Sequence, residues 1–206
     1  MEIIFHRINS LKELELIPVN AGVEIDIRDY NDELILQHDP FIEGELLEPF
    51  LKKYGQRKGN LILNIKSERI EIRILELLKK YKIENYFFLD SSFPMIINLV
   101  NNYGEKKIAL RYSEFEKEDT ILGLAGKIEW IWIDCFSKIP GSPEIYTQFR
   151  NLGFKLCFVS PELQCQLDKL MEYKFYFNSN EIVLDAVCTK FNYYKEWKNN
   201  DNSEMI

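Results

Sequence analysis

The sequence predicts an α/β fold: a small (β/α)8 TIM barrel with an extra hairpin strand after the second strand. Three observations predict it. Short β-branched or aromatic runs alternate with segments of helical period along the chain, the order of parallel βα units rather than of a sandwich. Eight such runs fit into 206 residues, at the short limit for a barrel of this kind. Nearly every run also ends in a polar or charged residue, where such barrels keep their active sites.

The strand-forming runs are residues 3–5, 22–27, 61–65, 86–89, 108–110, 130–133, 156–159 and 186–188. A further run, 34–37, follows the turn-like Tyr30-Asn31-Asp32-Glu33 and is expected to pair with the second strand as a hairpin. Helices are expected at 11–16, 46–54, 68–81, 94–101, 120–125, 143–151, 161–173 and 193–198. The clearest is 68–81, with Ile70, Ile74, Leu75, Leu77 and Leu78 on one side and Glu71, Arg73, Glu76, Lys79 and Lys80 marking a wet face. Pro94, Pro143 and Pro161 stand at or near helix starts, where the missing N–H is an orphan in any case. Residues 1–197 read as one domain and 198–206 as a polar C-terminal tail.

Composition bounds the function. With 33 acidic and 26 basic residues and a net charge of −7, the chain lacks the positive surface needed to wrap nucleic-acid phosphates. Met1-Glu2-Ile3-Ile4-Phe5-His6 reads as a strand rather than a signal peptide, and no apolar run reaches the ~18 residues of a membrane helix. The aromatic stretch 173–177 reads as core or as a lid, so no stable membrane association is expected. Cys135, Cys157, Cys165 and Cys188 show no metal or redox spacing and read as free thiols in a reducing cytoplasm.

The chemistry concentrates at the strand ends. Glu24 and Asp26 lie two apart, so on a strand both carboxylates reach one face. An E-x-D pair is often just a solvated face, but Val23, Ile25 and Ile27 make the opposite side apolar, which turns the pair into the barrel mouth. Two carboxylates held together repel unless a cation lies between them, and hard oxygen ligands suit Mg2+ or Ca2+; the Asn64 carbonyl oxygen or Asp90 could complete the set. His6 and His38, the only histidines, offer acid and base groups that titrate near neutral pH. Arg7 and Lys66 supply fixed positive charge for a phosphate. Asp90, Arg111 and Asp134 end later strands and are possible additional mouth residues.

The succession His6-Arg7, Glu24-x-Asp26, Leu36-Gln37-His38-Asp39-Pro40 and Leu63-Asn64-Ile65-Lys66 resembles the glycerophosphodiester phosphodiesterase family, related to the phosphatidylinositol-specific phospholipase C barrels. Ser92-Phe93, Gly153-Phe154-Lys155-Leu156 and Asp185-Ala186-Val187-Cys188-Thr189 agree in placement, so the resemblance spans roughly residues 3 to 190. It implies metal-dependent cleavage of a phosphodiester, with Glu24 and Asp26 on the divalent ion and His6 and His38 as general acid and base. A vicinal hydroxyl of the substrate would attack phosphorus. The chain departs from the family's pattern at Ile8, where Gly usually follows His-Arg, in a shortened first loop, and at Asn64, where Glu is common. The expected function is therefore a cytoplasmic phosphoric diester hydrolase acting on a small-molecule glycerophosphodiester or sugar-linked phosphodiester. The competing expectation is a phosphate-binding barrel that has lost turnover and serves as a scaffold.

Overall fold

Alternation of β-branched and polar residues sets the strands, and the helices lie where the apolar spacing widens to the helical period. The structure, a computed structural model, describes residues 1–198; of the expected tail, 199–206 lie outside the described residues. In chain order the elements are β1 (Glu2–Phe5), α1 (Leu11–Leu16), β2 (Gly22–Tyr30), β3 (Glu33–Leu36), β4 (Glu45–Leu46), α2 (Leu47–Tyr54), β5 (Leu61–Ile65), α3 (Glu71–Lys80) and β6 (Tyr86–Leu89). There follow α4 (Phe93–Asn98) with a π-helical turn at Leu99–Tyr103, β7 (Ala109–Tyr112), α5 (Glu118–Gly123), β8 (Trp130–Ile133), α6 (Pro143–Asn151), β9 (Lys155–Val159), α7 (Leu170–Ser179), β10 (Ala186–Thr189) and α8 (Tyr194–Lys198).

The α/β class is as expected. β1 pairs in parallel with β2 and β10, β2 with β5, β5 with β6, β7 with β8, β8 with β9 and β9 with β10. Between β6 and β7 lies one parallel bridge, Phe88 to Ile108, with the Phe88 N–H donating to the Lys107 carbonyl at 2.9 Å. β3 runs antiparallel to β2, from Ile27 opposite Leu36 to Tyr30 opposite Glu33, and β4 adds antiparallel to β3.

Two apolar layers follow from this alternation. Val23, Ile25 and Ile27 face outward and belong to the same apolar layer as Leu47, Phe50, Ile74 and Phe149 of the helices. Ile4, Ile62, Phe87, Ala109, Trp130, Cys157 and Cys188 fill the interior between the strands. The residues above that inner layer, toward the carboxyl ends, form the mouth.

Several boundaries differ from expectation. The stretch 161–173 is not one helix: 3-10 turns at Pro161–Gln164 and Leu167–Lys169 flank Cys165 at φ +57°, and the α-helix starts at Leu170. Its first turn is recruited by buried polar groups, since Glu162 accepts from Thr189 Oγ1 at 2.6 Å, from the Lys190 N–H at 3.1 Å and from Ser160 Oγ. Tyr173 and Phe177 are buried and Phe175 exposed, so that aromatic stretch is one flank of a core helix. Arg69 at φ +66° delays α3 to Glu71, and Glu71, expected on the wet face, is buried with its carboxyl pushed up by desolvation. β7 runs to Tyr112, so Arg111 lies within the strand rather than beyond its end.

Candidate active site

The mouth is organised around β2. Glu24 and Asp26 are both fully buried and share the inner side of the strand. Glu24 Oε2 accepts the Arg7 N–H at 2.7 Å, and Oε1 accepts from Asn64 Nδ2 at 2.8 Å. Asp26 Oδ2 accepts from Asn9 Nδ2 at 2.9 Å, while the Asp26 N–H returns a bond to Asn9 Oδ1 at 2.8 Å. Asp26 Oδ1 and Asn64 Oδ1 remain buried without a hydrogen-bond partner. Lys66 Nζ stands 3.6 Å from Asp26 Oδ1 and Arg7 Nε 3.8 Å from Oδ2, near enough for charge but outside hydrogen-bond range. Burial, and next the facing Asp26 carboxylate, push the Glu24 carboxyl up to about 7.

β1 ends in His6, whose Nε2 is 3.7 Å from Glu24 Oε2. Burial first, then the positive charges of Arg7, Lys190 and Lys66, pull its imidazole down to about 3, so the ring is neutral at physiological pH. Arg7 follows at φ +56°, a left-handed turn that points its N–H at Glu24. His38 follows the hairpin and is more exposed; its Nδ1 is 2.7 Å from Asp39 Oδ1. Arg28 fixes that segment: its Nε donates to the His38 carbonyl at 3.0 Å and its Nη1 to the Lys66 carbonyl at 2.9 Å.

The far side of the mouth is an ion-pair chain. Lys66 Nζ lies 3.6 Å from Asp90 Oδ2, Asp90 Oδ1 accepts from Arg111 Nη2 at 2.6 Å, and Arg111 Nη1 pairs with the buried Asp134. Asp134 Oδ1 also accepts from Gln164 Nε2 at 2.6 Å. Burial pulls the Arg111 guanidinium down, and the Asp90 and Asp134 carboxylates outweigh it, so its affinity for the proton is raised.

The sequence-derived residues therefore separate into two groups. His6, Arg7, Glu24, Asp26, Asn64 and Lys66 converge, with His38 close enough for its charge to bear on His6. Asp90, Arg111 and Asp134 stand beside them but are engaged with one another. Asn9, Arg28 and Gln164 were missed. Arg28 was findable, because it lies two residues past Asp26 and the period-two rule that joined Glu24 to Asp26 extends to it. Asn9 and Gln164 reach their partners from loops and carry no sequence signal. Among the described residues no three His, Cys, Asp or Glu side chains converge as metal ligands, so the oxygen set at β2 is two carboxylates and one amide.

Geometry of this kind, polar side chains gathered at the carboxyl ends of parallel strands, defines the class of α/β sites in which loops vary over a common frame. Comparison with solved structures narrows the class. The chain superposes on a glycerophosphodiester phosphodiesterase from Agrobacterium tumefaciens with a TM-score of 0.66 at 12% identity, covering 92% of this chain and 96% of that one. A glycerophosphoryl diester phosphodiesterase from Parabacteroides distasonis gives a TM-score of 0.60 at 15% identity, over 92% of this chain and 82% of that one. No family model matches the sequence, and no curated protein matches it. The fold is thus shared with glycerophosphodiester phosphodiesterases, as the motif order suggested, at a sequence distance that fits a divergent relative.

Proposed function

We propose that the strand ring is a complete small (β/α)8 barrel and that the chain is a metal-dependent phosphodiesterase, cleaving a glycerophosphodiester or sugar-linked phosphodiester by histidine acid/base chemistry. One observation carries the reading: a neutral, partly buried His6 stands 3.7 Å from a paired Glu24/Asp26 site on a fold shared with phosphodiesterases.

The donor set fits a hard divalent cation such as Mg2+ or Ca2+. Buried polar atoms are as a rule satisfied, yet Asp26 Oδ1 and Asn64 Oδ1 are both orphaned beside Glu24. Glu24, Asp26 and Asn64 would hold the ion, which when bound supplies charge to offset that on the phosphoryl oxygens. Only two of the three ligands are anionic, which makes for weaker binding than a full carboxylate set.

The protein's own groups divide the remaining work. His6, neutral and with its Nε2 3.7 Å from Glu24, would take the proton of an attacking hydroxyl, the Glu24 carboxylate offsetting the charge of the imidazolium so formed. His38, oriented by Asp39 at Nδ1, presents its other nitrogen to protonate the leaving alkoxide. Arg7 and Lys66 reach the mouth as phosphate partners. Arg111 is committed to Asp90 and Asp134, so its role is to hold those carboxylates in place and, through Asp90, to set Lys66.

The test is a panel of phosphodiesters followed by phosphorus NMR with and without EDTA. Hydrolysis is expected only with a divalent ion, and His6→Ala and His38→Ala should each abolish it while the circular dichroism spectrum stays unchanged. Turnover unchanged in both variants would overturn the assigned roles.

A further inference from the structure

Exposed phenylalanines are not spread evenly over this molecule. Phe41, Phe93, Phe115, Phe136 and Phe191 are all substantially exposed, Phe41 by 93% and Phe115 by 75%; Phe115, Phe136 and Phe191 sit on loops after the carboxyl ends of parallel strands, Phe93 opens α4 just past β6, and Phe41 is on the loop that carries His38. The loops at the opposite end expose Val19, Leu152 and Val183 but no phenylalanine; the remaining exposed one, Phe175, is on α7. Single exposed apolar residues need no explanation, but five aromatic rings carried toward one opening by five different connections do.

Phe191 rests on Phe5 and Tyr194, with ring centroids 5.5 Å apart in each case, while two of the other rings hold one another. Phe115 and Phe136, on adjacent loops, lie with centroids 6.0 Å apart. Glu114 ties those loops together by accepting from the Phe136 N–H at 3.2 Å, the Lys138 N–H at 3.1 Å and Ser137 Oγ at 2.7 Å. Phe41 stands three residues past His38, and Phe93 three past Asp90.

We infer that this rim docks reversibly on a zwitterionic phospholipid surface, so that the phosphodiester is met at the lipid–water boundary. Separate rings encircling an opening suit a planar interface, where each tip enters the headgroup layer, whereas a protein partner needs a continuous patch. The opening they encircle carries Arg7, Lys66 and Lys190, cations complementary to headgroup phosphate. The chain's net charge of −7 and the acidic Asp39, Glu114 and Glu116 on the same rim oppose an anionic membrane, which fixes the zwitterionic choice.

The inference extends the phosphodiesterase reading by saying where the substrate is encountered, and its test needs no turnover. The full chain is sedimented with phosphatidylcholine vesicles. Wild type is expected in the pellet, at a level insensitive to salt because apolar insertion is unscreened. The triple variant Phe41→Ser, Phe115→Ser, Phe136→Ser should partition at least roughly tenfold less, from the loss of three inserted rings. Phe175→Ser should sediment like wild type, and so should His6→Ala, which separates docking from chemistry. The inference is overturned if wild type stays in the supernatant, if the triple variant sediments as wild type does, or if binding needs anionic lipid and is lost in about 1 M salt. It is also overturned if sedimentation velocity shows a wild-type dimer that the triple variant dissolves, since the rim's occupant would then be a second copy.

Discussion

Asn64 decides how strongly the mouth can hold a cation. Its Nδ2 donates to Glu24 at 2.8 Å while its Oδ1 is left without a partner, an arrangement suited to an amide lending one oxygen to a shared ion. Asn64→Asp would place a third carboxylate against two buried ones. Without metal that adds like-charge repulsion, and with metal it adds an anionic ligand. The variant should melt several degrees below wild type in EDTA and gain more than wild type on adding Ca2+, read by thermal denaturation with a calcium titration. A gain no larger than wild type's would remove Asn64 from the ligand set. Asn9 acts one step further out, gripping Asp26 through both a donor and an acceptor. Asn9→Ala should lower the rate of diester hydrolysis by about 10–100-fold, the usual cost of losing an orienting partner, with the fold intact. These two asparagines also show what the sequence reveals at this scale. Glu24 and Asp26 were legible because strand period alone puts them on one face, and Asn64 because it stands near the end of another strand. Asn9 was not, because a loop residue's reach is set by the path of the loop.

Elements were legible where alternation or period is regular, and illegible where a polar group inside the fold overrides the local pattern. The strands come out in place because a half-buried strand must alternate and an inner one must be apolar. The stretch 161–173 reads as a helix from its proline and leucines, yet Glu162 is drawn to Thr189 and Lys190 on β10, a partner no local window contains. Glu114 makes a similar tie between the loops after β7 and β8. Burial pushes its carboxyl up, but the N–H groups and hydroxyl that it accepts from outweigh this and hold it down at about 2, against an ordinary 4.5. Because the folded value is depressed, this tie stabilises fully above pH 4.5 and is lost as the pH falls toward about 2. Protection from hydrogen exchange at Ser137 and Lys138, taken relative to the intrinsic rate at each pH, should therefore fall through that window in wild type, whereas Glu114→Gln should already be weakly protected at neutral pH and show no such step. Arg28 couples elements in the same way, joining the hairpin segment at His38 to the end of β5 at Lys66. Arg28→Leu should lower kcat with little change in KM, because it releases the position of His38 while leaving the phosphate partners; an altered KM with unchanged kcat would place Arg28 in binding instead.

At the scale of the whole molecule, the succession of parallel strands has one weak seam, and the interior compensates for it. β2 and β5 meet over five paired residues, but β6 meets β7 through a single bridge. Across that seam Phe87 of β6 stacks on Trp130 of β8, with centroids 4.5 Å apart and planes 23° apart. The stack spans β7, whose first inward residue is Ala109, so a small side chain there leaves room for the rings to meet. Where the backbone supplies few bonds, aromatic packing between the strands holds the two edges together. Phe87→Ala should therefore cost about 3–5 kcal/mol as a buried aromatic truncation, and it should quicken hydrogen exchange at Phe88 more than at the β2–β5 amides. Ala109→Leu should also destabilise, by about 1–3 kcal/mol, because the added side chain enters the space that the stacked rings fill. Urea denaturation of both variants, with exchange followed by NMR, distinguishes this from a generic core effect. Equal acceleration at Phe88 and at Val23, whose N–H donates to the Asn60 carbonyl beside β5, in Phe87→Ala would show that the seam depends no more on the stack than do the other strand pairs. Selective acceleration at Phe88 would locate the hold between β6 and β7 in two side chains rather than in the single bridge of the backbone.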